Sequence, residues 1–157
     1  MTYYDSIADG YERLHYEEQI KKLNIIKDNL PIKKEDTLLD VGCGTGFSRD
    51  VFDCDWTGID PSRKLLEKAQ GRVFLGRAEA MPFPDKSFDV VISVTAIHNF
   101  KDIELGLNEI KRVGNKRFAF GVLKKSKESE KIKKLIEEIF DVRKVVEEEK
   151  DIIFIIY

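Results

Sequence analysis

Apolar positions along the chain follow two alternating rhythms. Stretches with helical spacing give way to short runs that are apolar almost throughout, from residue 17 to about residue 140. Ile20, Leu23, Ile26 and Leu30 recur near helical spacing, and Pro31 stops that helix before the polar turn Lys33 to Asp36. Thr37 to Val41 reads as a buried strand running into a glycine loop, Gly42 to Gly46, with a short helix expected from Phe47 to about Phe52. Trp56 to Ile59 reads as a second strand. Asp60-Pro61-Ser62 supplies a turn and a cap for a helix from about Arg63 to Gln70. Val73 to Leu75 and Phe88 to Val94 read as strands three and four, and a helix around Ile103 to Val113 ends at Gly114-Asn115. Arg117 to Val122 is the fifth strand. Ile132, Leu135, Ile136 and Ile139 place a helix within Ser126 to Phe140, and Asp141 to Glu147 and Asp151 to Tyr157 form a closing antiparallel hairpin. Strands alternating with helices argue for an α/β, doubly wound, mostly parallel sheet.

Composition narrows this picture without changing it. The 157 residues hold enough apolar mass for one core and no internal repeat, so a single domain is expected. A formal net charge of -2 gives no basic field: affinity for nucleic acid is neither implied nor excluded, since a local patch can still be basic. No apolar run approaches the ~20 residues of a membrane span, and the chain reads as soluble and cytoplasmic. Cys43 and Cys54 fit neither a disulfide framework nor a metal site, and both are expected to be reduced.

The strongest local signal is LLDVGCGTG at residues 38 to 46, a buried strand running straight into three glycines at alternate positions before a helix opens. Glycines let the backbone pass close to a ligand, and exposed amides at a helix start favour an anionic group. A dinucleotide loop of the GxGxxG type would need its third glycine at position 47, which is Phe47, and no lysine followed by Ser or Thr closes the loop. Both NAD binding and ATP hydrolysis are disfavoured. Asp60 lies 20 residues after Asp40, at the end of the second strand. Its carboxylate can accept from the two adjacent hydroxyls of an adenosine ribose, through bonds of roughly 1.5–3 kcal/mol each. The competing reading is a solvated turn aspartate.

With these residues, the opening YDSIADGY at 4 to 11, GIDPS at 58 to 62, AEAMPFPDKSFDVV at 78 to 91 and SVTAIHNF at 93 to 100, the sequence resembles the class I S-adenosylmethionine-dependent methyltransferases. Within them it is most similar to the methyltransferase type 11 subgroup, with the ubiquinone and menaquinone biosynthesis enzymes and the wobble-uridine transfer RNA methyltransferases. The resemblance implies a Rossmann-like seven-stranded sheet over residues 1–157, S-adenosyl-L-methionine as cofactor, and an N-terminal flap over residues 1–16. It also implies that Asp40, Gly42, Cys43, Gly44 and Gly46 line the methionine moiety, that Asp60 holds the ribose, and that Pro61 and Met81 bracket the adenine. Ala78 and Glu79 would border the adenine edge, Ser93 would stand at the end of the fourth strand beside the cofactor, and Tyr4 and Tyr11 would belong to the flap.

Three departures bear on function. The position before Ala78 commonly carries an aspartate that accepts from the adenine amino group, but here it is Arg77, which has no acceptor. Few residues separate Gly46 from Asp60, and little chain lies between Val122 and Ser126 where an insertion often walls off the acceptor. The acceptor side is expected to be open, completed by a macromolecular substrate, a second copy or a small activating subunit docked on the third strand. His98, just beyond the fourth strand, is the candidate base for an acceptor that must lose a proton, with a pocket-lining role as its alternative. His15 is read as structural. The acceptor is left open among small molecule, RNA and protein, and the alternative to an enzyme is a catalytically idle cofactor-binding subunit.

Overall fold

The computed structural model describes the backbone of residues 10–157 and the side chains from Glu12 onward. The expected flap residues Tyr4 and Tyr11 lie outside the described side chains. In order, the elements are α1 (Gly10–Asn29), β1 (Thr37–Val41), a 3₁₀ turn (Phe47–Asp50), β2 (Asp55–Asp60), α2 (Arg63–Leu66), β3 (Arg72–Leu75), β4 (Phe88–Val94), a second 3₁₀ turn (Ile97–Asn99), α3 (Ile103–Val113), β5 (Gly114–Leu123), α4 (Ser129–Ile139), β6 (Lys144–Glu147) and β7 (Asp151–Ile156). They build one seven-stranded sheet in the order β3-β2-β1-β4-β5-β7-β6. β1 to β5 are parallel, and β7 runs antiparallel to both β5 and β6. The doubly wound architecture expected from the sequence is the architecture found.

Side-chain alternation along the strands divides the core in two. Leu39, Val41 and Val91 point to the face covered by α3 and α4, joining Leu107, Ile110, Ile132 and Ile136. Their neighbours Leu38, Val90 and Ile92 point to the opposite face, against Leu23 and Ile26 of α1 and Leu30 just beyond its end. Burying each such side chain contributes roughly 1.5–3 kcal/mol. Truncating Ile26 to Ala, at a site with no exposed surface, would cost about 2–5 kcal/mol.

Element boundaries differ from the sequence reading where local chemistry is weak. The helix expected to reach Gln70 ends at Leu66: Ser62 caps it by accepting from the Leu65 amide, but none of its residues is buried, so nothing anchors a second turn. The segment after the glycine loop winds as a 3₁₀ turn ending at Asp50. β5 begins at Gly114 because that residue caps α3 in an extended conformation and pairs at once with Phe88 of β4. α4 begins at Ser129, after a turn in which the Ser126 hydroxyl accepts from the Glu128 amide.

Candidate cofactor site

A cavity of about 540 Å³ opens at the C-terminal ends of β1, β2 and β4, where ligands collect in open α/β sheets. One wall is the glycine loop with Asp40, Gly42, Cys43, Gly44 and Thr45, and beside it stand Asp60 and Pro61. Arg77, Ala78 and Glu79 form the far end, and the chain from Val94 to Lys101 and the α1 face carrying Glu12, His15 and Gln19 close the remaining sides. The loop is stitched to the end of β2: the amides of Gly42 and Cys43 donate to the Ile59 carbonyl, at 2.8 and 3.1 Å. Gly42 has φ +80, and a Cβ there would stand 2.6 Å from the Ala96 Cβ, so only glycine lets the loop lie this close to the segment after β4.

Two buried carboxylates, Asp40 and Asp60, face this cavity. Asp60 Oδ2 accepts from the Gly44 amide at 2.9 Å and Oδ1 from the Ser62 amide at 2.8 Å, which fixes both oxygens and leaves a further lone pair on each. Asp40 accepts through Oδ2 from the Ser48 hydroxyl at 2.5 Å, and Ser48 Oγ in turn accepts from the indole N–H of Trp56 at 2.8 Å. Burial pushes the Asp40 carboxyl up to about 7, the Ser48 bond opposes the rise, and the neighbouring Asp60 adds to it. Among the described residues no cation pairs with Asp40, although Lys68, Arg77 and Lys101 line the cavity elsewhere. Burial also pushes the Cys43 thiol up, so it stays protonated and wall-forming. Thr45, buried on the same wall, has a hydroxyl oxygen with no hydrogen-bond partner among the described residues.

Behind the wall lies a charged network. Lys22 of α1 and Asp151 of β7 are both buried, with Lys22 Nζ 3.1 Å from Asp151 Oδ1. That oxygen has no aligned donor, so the contact is an ion pair without a hydrogen bond. The hydroxyl of Thr95 accepts from Lys22 Nζ at 3.0 Å and donates to Asp151 Oδ2 at 2.7 Å. Thr95 lines the cavity and has φ +54, a left-handed conformation that β-branched residues seldom adopt.

Four residues of the expected set do not line the cavity. Gly46, at φ +83, precedes the 3₁₀ turn, and a Cβ there would face Trp56 and Ala69. Met81 is packed in the core, its amide donating to Glu109 Oε1 at 3.0 Å. Ser93 has no exposed surface and donates to the Val41 carbonyl at 2.8 Å, latching β4 to β1. His98, the expected base, sits in the turn after β4 and is half-buried near the Lys22–Asp151 pair; burial chiefly lowers its pKa, Asp151 raising it and Lys22 lowering it. The left-handed turn at Thr95 sends the cavity wall through Ala96, Asn99 and Phe100. His15, read as structural, lines the cavity, its ring edge-on to Phe47 with centroids 5.6 Å apart. Burial lowers its pKa against the raising effect of Glu18. Glu12, His15 and Gln19 share one helical face, a spacing the sequence displayed; which face of α1 docks toward the loop was not encoded locally.

A family model described as a methyltransferase domain matches residues 39–117. The chain is 31% identical over 115 residues to the uncharacterized protein MJ1252 of Methanocaldococcus jannaschii, covering 71% of this chain and 45% of that one. To the demethylmenaquinone methyltransferase of Thermotoga maritima it is 30% identical over 129 residues, 72% of this chain and 56% of that one. Among solved structures, the complex between the Haloferax volcanii Trm112 methyltransferase activator and a candidate methyltransferase matches with a TM-score of 0.62 and 26% identity, over 72% of this chain and 54% of that chain. The chain spans about half the length of the curated relatives it matches.

Proposed function

Because the chain belongs to the methyltransferase domain family, we propose that it binds S-adenosyl-L-methionine in this cavity and transfers its methyl group to a nucleophile on a small molecule, RNA or protein. The observation that carries the reading is the pairing of Asp40 and Asp60 across one glycine loop. The residues fit the cofactor. It brings positive charge on its sulfonium and ammonium groups into a pocket whose buried acid, Asp40, pairs with no cation among the described residues. It brings a ribose diol to Asp60, whose oxygens each keep a lone pair after accepting from Gly44 and Ser62. The unpartnered Thr45 hydroxyl and the close-packed Gly42 backbone suit the polar amino-acid end.

When bound, the cofactor supplies a methyl group already activated by its sulfonium for in-line transfer. The work left to the chain is holding and orienting, which can contribute ~7–11 kcal/mol to lowering the barrier. Asp60 and the glycine loop hold, Asp40 balances charge, and Pro61, Ala78 and Glu79 border the base end of the cavity. Glu79 already accepts from the Asp102 amide at 3.0 Å, which fixes its carboxylate. Where the acceptor must lose a proton, His15 is the imidazole that lines the cavity, whereas His98 does not line it.

A small activating subunit belongs to the same reading. Among the described residues β3 is one of the two sheet edges and carries exposed Phe74 and Leu75, with exposed Leu65 nearby on α2, an apolar edge of the kind that takes up a partner strand. The Haloferax structure, a complex of a similar domain with a methyltransferase activator, supports a partner subunit of this kind. No helix among the described residues is long and apolar enough to cross a membrane. A cytoplasmic location follows from the cofactor, an intracellular metabolite. Calorimetry with S-adenosylmethionine, S-adenosylhomocysteine and NAD tests binding, micromolar affinity being expected for the first two and none for NAD. Incubation with methyl-labelled cofactor and fractions of metabolites, RNA and protein tests transfer. Binding without incorporation into any fraction, with or without cell extract, would leave the idle cofactor-binding subunit as the answer.

A further inference from the structure

We propose that Lys22 and Asp151 are positioning residues for the cofactor site: closed through the Thr95 hydroxyl, they hold that threonine in its left-handed turn and so set the spacing between the segment after β4 and the glycine loop. The proposal rests on reading the cavity as an S-adenosylmethionine site.

The geometry makes the dependence direct. β4 ends at Val94, and the chain must turn at once to bring Ala96 against Gly42, where a Cβ would come within 2.6 Å. The turn is made by Thr95 at φ +54, although a β-branched side chain opposes that conformation. Such a residue persists only where its surroundings over-determine it. Three contacts do so. The Thr95 amide donates to the Gly121 carbonyl at 2.8 Å, its hydroxyl accepts from Lys22 Nζ at 3.0 Å, and it donates to Asp151 Oδ2 at 2.7 Å. The two charges come from opposite ends of the sequence, 129 residues apart, and both are buried. Burying a pair this way is seldom the cheapest route to stability, since apolar residues of similar volume often serve as well. A role in conformation explains its presence: the pair grips a hydroxyl that neither charge could fix alone. Gly121 leaves the space that Asp151 occupies, a Cβ there standing 2.9 Å from Oδ2. Lys22 also ties α1, which carries Gln19 on the cavity wall, to the same turn. The two cavity walls therefore move together or not at all.

The test compares two substitutions at one position. Thr95→Val keeps the shape and the β-branch and removes both side-chain bonds; Thr95→Gly removes the bonds but adopts a positive φ without strain. Affinity for S-adenosylhomocysteine, measured by calorimetry, is expected to fall at least about tenfold in Thr95→Val. In Thr95→Gly it should stay within about threefold of the parent chain, because glycine needs no clamp to hold the turn. Lys22→Met should resemble Thr95→Val, and Lys22→Met/Thr95→Gly should recover affinity. Parent-like binding by Thr95→Val would overturn the proposal. So would equal losses in Val and Gly, which would mean that the hydroxyl contacts the ligand itself. Should Lys22→Met fail to fold, the Val and Gly pair still decides. Amide exchange across residues 95–100, read by mass spectrometry, gives a readout free of ligand: it should be faster in Thr95→Val than in Thr95→Gly. If the parent chain bound neither S-adenosylmethionine nor its product, the function proposed above would fall. Exchange alone would then decide the clamp, equal rates in the two variants overturning it.

Discussion

Asp40→Asn is expected to make the ligand-free protein more stable above neutral pH while weakening the cofactor site. The replacement is nearly isosteric, and its amide oxygen can accept from Ser48 as the carboxylate does. What changes is the charge. Burial, against the Ser48 bond and with help from Asp60, raises the Asp40 carboxyl from an ordinary 3.8 to about 7. The native state therefore holds the Asp40 proton more tightly than the unfolded chain does. Its contribution to stability is fully present below pH 3.8 and is lost as pH rises through about 7. At ~1.4 kcal/mol per pH unit the whole loss is about 4 kcal/mol. Asparagine has no proton to lose, so the stability difference between variant and parent should swing toward the variant by up to that amount between pH 4 and pH 8. Guanidinium unfolding of both proteins across a pH series measures this difference and cancels every group they share. A difference that stays flat from pH 4 to pH 8 would refute the reasoning, because Asp40 would then titrate alike in both states. Saturating S-adenosylmethionine, whose positive charge favours ionised Asp40, should flatten the parent's slope and leave the variant's unchanged.

Asp60→Ala should weaken cofactor binding by about 10–100-fold, since at least one charge-assisted bond is lost; unchanged affinity in calorimetry would remove Asp60 from the site. The same variant strands the Gly44 and Ser62 amides, so its unfolding free energy should drop by about 1–3 kcal/mol. Arg77→Asp should tighten binding, because Arg77 lines the cavity but has no acceptor for an adenine amino group. Affinity that is the same or lower would show that this position is not a lost adenine contact. Arg117→Met should destabilise the protein most at neutral pH and least in acid. Arg117 bonds to Asp36 and holds that carboxyl below its usual range, so the pair's contribution exists above the ordinary carboxylate pKa and fades as pH falls through the lowered one. A destabilisation independent of pH would point to packing alone.

The strands were legible in the sequence because each pairs a continuous apolar run with a turn, as LLDV before GCGTG does. Helices α1, α3 and α4 were legible because their buried faces repeat at helical spacing. α2 was overread, since Ser62 is a good cap but nothing behind it buries. In the site, Asp40, Gly42, Gly44, Asp60, Pro61, Ala78 and Glu79 were visible as motif positions, and they meet on one cavity. Side-chain direction was not visible. His98 and Ser93 sit at the right strand end, yet Ser93 lies on the inward face and His98 follows a left-handed turn that no rule assigns to a threonine. The Lys22–Asp151 pair was equally hidden, because residues far apart in sequence meet only when α1 packs on the sheet face across β7. Thr45 differs: it stands inside the glycine motif, and an uncapped hydroxyl there was a signal within reach.

Trp56 is the only tryptophan in the chain, and its indole N–H is bonded to Ser48, which is bonded to Asp40. Indole emission responds to nearby electric fields, and here the nearest variable field is a carboxylate two hydrogen bonds away. Whatever alters the ionisation of Asp40, a proton or a cationic ligand, reaches the fluorophore along that line without any change of fold. The protein thus carries an intrinsic optical gauge of its own pocket, so that acceptor fractions, candidate cofactors and pH can be screened in a cuvette with neither dye nor label.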